Sequence, residues 1–176
     1  MSLAKVDARQ AESTVDALGR PREPGIEGVQ LARLTPNPDH RGDLTQIMNT
    51  VSSIWEEPVP HAYHLTVKPG RIRGWGMHRF QADRHYAFAG EGRMVLYDGR
   101  EDSPTHGEIA EFYFSEVSRG VIYIPPGVWH AAQSTGDVDW HLINLPTLPY
   151  DSANPDKYRI DPHSGEIPFD FTLRDR

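Results

Sequence analysis

Gly120-Val121-Ile122-Tyr123-Ile124-Pro125-Pro126-Gly127-Val128-Trp129-His130 is the stretch that decides the fold. An apolar, β-branched run of strand length stops at two prolines, which pre-set a turn, and Gly127 tolerates the positive φ that closes it. A second strand then departs with Val128, so a tight hairpin presents His130 toward the interior. Outward from this hairpin the chain reads as more of the same. The runs at 29–34, 43–48, 62–67, 71–75, 85–90, 93–98, 109–114, 121–126, 128–133 and 140–145 are apolar or alternate with period two. Gly, Pro, Asn or Asp separates them. Ten short strands with turn chemistry between them predict an all-β jelly roll or closed barrel.

Composition agrees. The 176 residues, 38% of them hydrophobic, suffice for one core, and the 15 glycines and 15 prolines punctuate the chain instead of forming one low-complexity tract. Residues 1–24 are expected to form a short N-terminal helix or arm, residues 25–176 a single domain, and the Pro- and Asp-rich stretch from Pro149 a loop-rich tail with a short helical turn wrapped on the barrel. The absence of cysteine excludes a disulfide framework, a zinc ribbon and a thiol nucleophile. A net charge of −7 argues against nucleic acid or an anionic membrane as partner, although Lys68, Arg71, Arg73, Arg79 and Arg84 fall close together and suit an anionic ligand. No apolar run has the length of a membrane helix, and Met1 to Lys5 lack a signal-peptide core, so a soluble, cytoplasmic protein is expected.

A second motif precedes the hairpin. From Gly74 through His78, Asp83 and His85 to Gly90, the segment resembles the first motif of the cupins, double-stranded β-helix barrels in which an HxH, a Glu and a Gly line one end. Gly76 stands where the first His would be and Asp83 where the Glu would be. The 120–130 hairpin resembles the second cupin motif.

The resemblance narrows on further residues. Asp39-His40-Arg41-Gly42, His61 to His64, Arg73-Gly74, Gln81-Ala82-Asp83, Tyr97-Asp98-Gly99-Arg100 with Ser103-Pro104-Thr105, Pro126 to His130, Tyr150 and Asp161-Pro162 are together similar to the marks of dTDP-4-dehydrorhamnose 3,5-epimerases. This similarity spans about four fifths of the chain. It implies a homodimeric cupin acting on a nucleotide sugar, with no cofactor required. It also implies that Arg41 and Arg73 contact the diphosphate, that His61, Tyr63, Gln81 and Tyr150 hold substrate, and that His130 lines the active site. Two of the family's groups are exchanged: the base of its RGxH motif corresponds to Gly76, and the Lys that stabilises the enolate corresponds to Asp83. A hairpin shortened by two residues would set His141 at the position of the family's acid, a Tyr.

Epimerisation beside a ketone needs a base, a stabiliser for the enolate and an acid on the opposite face. Alternation along the strand places Asp83 and His85 on one inward face, and an Asp–His pair holds a base; His78, two residues from Gly76, faces the same way. His78, Asp83, His85, His130 and His141 are therefore the candidate catalytic residues. Two other readings remain open. One is a cupin without catalysis that binds a sugar or small acid. The other is a metal-dependent cupin oxygenase or isomerase, in which His78, Asp83, His85 and His130 converge on a divalent ion.

Overall fold

The computed structural model describes residues 13–19, 23 and 25–173. Its strands, in chain order, are β1 (Gln30–Arg33), β2 (Asn37–Asp39), β3 (Gly42–Leu44), β4 (Tyr63–Val67), β5 (Ile72–Met77), β6 (Asp83–Ala89), β7 (Gly92–Asp98), β8 (Ile109–Phe114), β9 (Gly120–Ile124), β10 (Val128–Ser134), β11 (Trp140–Asn144) and β12 (Tyr158–Arg159). Two five-stranded antiparallel sheets, ordered β1-β9-β6-β11-β4 and β12-β5-β10-β7-β8, face each other as a jelly roll, and β2-β3 forms a separate hairpin. The expected all-β cupin barrel is the fold observed.

Alternation along the strands sorts the side chains into three packed layers. Between the sheets lie Met94, Leu96, Phe112, Ile122, Trp140 and Leu142, all essentially sealed from solvent. The outer face of the second sheet, with Trp75, Val95 and Ala131, is covered by Ile167 and Phe171 of the tail. The Phe171 carbonyl accepts hydrogen bonds from Arg93 Nη2 at 3.1 Å and Gln133 Nε2 at 2.9 Å, which ties that wrap to the sheet. On the outer face of the first sheet, Tyr86 and Val121 pack under Ile54 and Trp55 of a short 3-10 turn (Ser53–Trp55). Arg84 lies on this side too, fully buried, donating to the carbonyls of Ile54, Glu57, Pro58 and Leu145. It is a structural cation, unpaired with Asp83, whose side chain points to the opposite face of β6.

Three expectations need correction. Of the short helix or arm expected over residues 1–24, the described residues 13–19 form a turn and no helix, because the Asp16 carboxylate takes the Leu18 N–H at 2.8 Å and Gly19 adopts φ +74; that local bond competes with a helical ladder. Residues 1–12 lie outside the described residues. The strand expected over 43–48 ends at Leu44, since the β2-β3 hairpin projects from the barrel with Leu44 69% exposed and has no further strand to pair with. The described tail carries no helical turn; it supplies β12, which pairs Tyr158 with Met77 and Arg159 with Gly76.

Candidate functional site

The two motifs meet at one end of the barrel because backbone bonds lock them together. The Gly127 N–H of the β9–β10 turn donates to the His78 carbonyl at 2.7 Å, and Gly127 takes φ +84, as the proline–glycine reading requires. On β5, Gly76 pairs with His130 of β10. A Cβ at Gly76 would stand 3.4 Å from His130 Nε2, so the imidazole lies over the glycine. At Gly74 the approach is closer still, with a Cβ 2.5 Å from the Ala131 Cβ.

Asp83 is the centre of the site. Its carboxylate is 2% exposed; Oδ1 accepts from Gln81 Nε2 at 2.8 Å, while Oδ2 lies 3.4 Å from His78 Nε2 and 3.5 Å from both His85 Nε2 and His130 Nε2. Burial alone would raise the Asp83 pKa, but the imidazoles of His78, His85 and His130 outweigh it and hold the carboxyl well below its ordinary range. His130 shows the reverse balance: burial outweighs the attraction of Asp83 and pushes its pKa down to about 4, leaving the ring neutral. For His78, burial opposes the charge, yet Asp83 and Asp156 together raise its pKa. His78 Nδ1 donates to the Asp156 carbonyl, and the Asp156 carboxylate accepts the N–H groups of Arg79, Phe80 and Gln81 at 2.8 to 3.0 Å. Both ring nitrogens of His85 are buried without a hydrogen-bond partner.

These groups open into a cavity of about 260 Å³ lined also by Arg73, Lys157 and Arg159. A neighbouring cavity of about 470 Å³ shares Tyr63, His78 and Lys157 with it and adds His61, Gln81 and Tyr150. Of the residues singled out in the sequence, His78, Asp83, His85, His130, Arg73 and Tyr63 are thus brought together, with His61, Gln81 and Tyr150 beside them. The Tyr63 hydroxyl accepts from Asn144 Nδ2 at 2.7 Å, and burial, aided by Asp83, pushes its pKa up to about 12.

Two candidates lie elsewhere. His141 is on the outer face of β11, stacked on His64 with its Nδ1 2.9 Å from His64 Nε2 and its ring against Phe88. Trp140, Leu142 and Asn144 are the inward residues of that strand, so the assumed shortening of the hairpin gave the wrong parity. Arg41 is on the β2-β3 hairpin, its side chain 77% exposed and paired with Asp39, away from both cavities. The basic cluster seen along the chain also disperses: Arg84 is buried on the other face, Arg79 lies over the Tyr158 ring at 4.8 Å, and only Arg73 lines the cavity.

Sequence reasoning missed Asp156, Lys157 and Arg159. Lys157 lines the cavity while remaining exposed, and partial desolvation together with Arg159 and Arg73 lowers its pKa against the pull of Asp83. The three sit in a Pro- and Asp-rich tail with no periodic pattern, and the only signal near them is that Tyr150 and Asp161-Pro162 bracket the loop. Asp98, Arg100, Ser103 and Thr105, by contrast, prove to be scaffold: Asp98 collects Arg100, Ser103 and Thr105 at 2.5 to 3.1 Å beneath the turn that carries Gly127.

No helix among the described residues is long and apolar enough to cross a membrane. Comparison with known proteins gives a consistent result. The family model described as dTDP-4-dehydrorhamnose 3,5-epimerase matches residues 23–176. The chain is 36% identical over 138 residues to the probable low-salt glycan biosynthesis epimerase Agl13 of Haloferax volcanii, covering 78% of this chain and 88% of that one. It is 29% identical over 151 residues to the spore coat polysaccharide biosynthesis protein SpsL of Bacillus subtilis, covering 86% and 99%. A dTDP sugar isomerase from Desulfovibrio desulfuricans superposes with a TM-score of 0.78 at 28% identity, covering 85% of this chain and 94% of that structure. With the jelly roll, both barrel motifs and a match over nearly the whole domain, the chain belongs to the dTDP-4-dehydrorhamnose 3,5-epimerase family.

Proposed function

We propose that the protein is a nucleotide-sugar epimerase or isomerase that moves a proton at a carbon beside the 4-keto group of a dTDP-deoxysugar. The single observation that carries this reading is His85: a buried imidazole in a cavity wall, with both nitrogens unpartnered and the Asp83 carboxylate 3.5 Å from Nε2. With Nε2–H turned to Asp83, Nδ1 keeps a free lone pair and acts as the base. It takes the proton from the carbon, the C–H electron pair moves into the carbonyl as an enolate, and a proton returns to the opposite face. Tyr63 is the donor for that return. Its raised pKa keeps the phenol protonated, and the pairing of Asn144 with both Tyr63 and His85 sets acid and base on either side of one strand, roughly 10 Å apart at the backbone.

Arg73, Lys157 and Arg159 supply the positive charge that a diphosphate needs. The relative named as a glycan biosynthesis epimerase and the structure named as a dTDP sugar isomerase support the same substrate class. In this reading Gly76 and Asp83 replace the family's base and Lys, no organic cofactor takes part, and the protein acts as a homodimer in which the exposed Arg41 of one copy serves the other copy's cavity. Solvent-deuterium incorporation into a panel of dTDP-4-keto-deoxysugars tests it. The wild type should wash deuterium into a carbon next to the ketone and His85→Ala should lose at least about 100-fold in rate. Tight binding without any exchange across the panel would leave only a sugar-binding module and sink the enzyme reading.

A further inference from the structure

We infer that His78, Asp83 and His130 form a binding site for one divalent first-row transition-metal ion at the floor of the cavity. Among the described residues these three offer ligand atoms that all lie within 4.8 Å of one another. They come from three places the fold brings together: the end of β5, the start of β6 and the β9–β10 hairpin.

The orientation of the rings is what makes the group a site. His78 Nδ1 faces the Asp156 carbonyl and His130 Nδ1 faces the Val128 carbonyl at 3.4 Å. A carbonyl only accepts, so the proton of each neutral ring sits on Nδ1, and Nε2 is left with its lone pair. Backbone carbonyls behind Nδ1 are the arrangement that orients and strengthens a metal-binding imidazole. Both Nε2 atoms then point at Asp83 Oδ2, 3.4 and 3.5 Å away. That spacing is longer than a charge-assisted hydrogen bond, about 2.7 to 2.9 Å. It matches the edge of a tetrahedron, about 3.3 Å, around an ion with bonds of about 2.0 to 2.1 Å. Two imidazole nitrogens and a carboxylate that face one another at this distance call for a positive centre between them, a proton on His78 Nε2 in the metal-free protein and the ion once metal displaces it.

Donor chemistry selects the class of ion. Two imidazoles and one carboxylate, with no cysteine in the chain, suit Zn²⁺, Fe²⁺, Co²⁺, Ni²⁺ or Mn²⁺ better than Mg²⁺ or Ca²⁺. Three protein ligands leave at least one coordination position for an oxygen of whatever occupies the cavity. His85 stands outside the compact set, which leaves its unpartnered ring free for proton transfer. An ion here places positive charge beside Asp83, where the family resemblance puts a Lys. That last consequence rests on the proposed epimerase reading, whereas metal binding itself does not.

The test uses the full chain and no sugar. After stripping with a chelator, the protein is titrated with Zn²⁺, Co²⁺, Ni²⁺ and Mn²⁺ by calorimetry, and bound metal is counted by elemental analysis. One equivalent of at least one ion should bind with a Kd of about 1 μM or tighter, and the Co²⁺ form should show visible bands of nitrogen and oxygen ligation. His78→Ala and His130→Ala should each weaken binding at least about 100-fold. His141→Ala, which removes half of the exposed His64–His141 pair, should leave stoichiometry and affinity unchanged. Far-UV circular dichroism and the rise in Tm on adding metal, expected for the wild type and His141→Ala and absent in His78→Ala and His130→Ala, separate lost ligation from lost folding. Less than 0.1 equivalent of every ion in the wild type, or binding that survives in His78→Ala and His130→Ala but disappears in His141→Ala, would overturn the assignment. Neither result bears on the deuterium-exchange experiment, so the two readings fail separately.

Discussion

Asp156 holds His78 from 78 residues further along the chain: its carbonyl accepts from His78 Nδ1 while its carboxylate gathers three backbone N–H groups of the loop that follows. One tail residue therefore fixes both the tautomer of a site histidine and the path of residues 79–81. Replacing Asp156 by Ala removes the three charge-assisted bonds, so a loss of about 1 to 3 kcal/mol in urea unfolding is expected, with a smaller loss for Asp156→Asn. An unchanged midpoint in Asp156→Ala would show that the loop is held by other contacts.

The two glycines of β5 should respond differently to a methyl group. At Gly74 a Cβ falls 2.5 Å from the Ala131 Cβ and 2.6 Å from its Cα, with φ at +157, so Gly74→Ala should cost more than about 2 kcal/mol or prevent folding. At Gly76 the nearest atom is His130 Nε2 at 3.4 Å, an ordinary contact. Gly76→Ala should fold with a Tm within a few degrees of wild type yet restrict the His130 ring, and thermal melts of the pair check the contrast.

Cationic residues of the cavity should contribute to affinity for an anionic ligand. Arg73→Met and Lys157→Met are each expected to weaken dTDP binding about tenfold, equivalent to about 1.4 kcal/mol, in a calorimetric titration. Arg71→Met, on the turn before β5 and outside the cavity lining, should bind as wild type does. Equal losses at Arg71 and Lys157 would point to a general electrostatic effect and away from a site.

Acid stability should carry the signature of Asp98. The carboxyl is fully buried, which by itself raises its pKa, but Arg100, Ser103 and Thr105 outweigh burial and hold it well below the usual range. The folded pKa thus lies below the unfolded value of about 3.9. The resulting stabilisation is complete above that value and is lost as the pH falls toward the folded pKa. Asp98→Asn should lower the unfolding free energy at neutral pH and flatten its decline between about pH 5 and pH 3. Parallel curves for the two proteins would reject this account.

His141→Ala should exchange deuterium at the wild-type rate, because its side chain lies outside the barrel against His64 and Phe88. A large loss of rate would return the acid role to this residue.

The barrel was legible because its signals are local. Period-two runs with proline and glycine between them define strands and turns without reference to anything distant, and runs such as Ile109–Phe114 became strands residue for residue. Alternation also placed Asp83 and His85 on one inward face. Where an expectation depended on loop length, as at His141, a miscounted hairpin inverted the face, since one residue of slip reverses every side chain on a strand. Over residues 43–48 the alternation is present in the sequence, but β2 pairs only as far as Leu44 and no other described strand takes up the residues beyond it.

By itself, then, the amino-acid sequence determined the barrel strands other than β12, the proline–glycine hairpin that aims His130 and the membership of the family. Tertiary structure alone decided which charges share the cavity. Arg84 neighbours Asp83 in the chain and is buried on the opposite face of the strand, while Lys157, Asp156 and Arg159 arrive from a tail without periodicity. The reason is that a ligand site is made by groups converging through space. Pattern along a strand specifies which face a side chain takes, but only the closure of two sheets and the docking of β12 on β5 specify what it meets there.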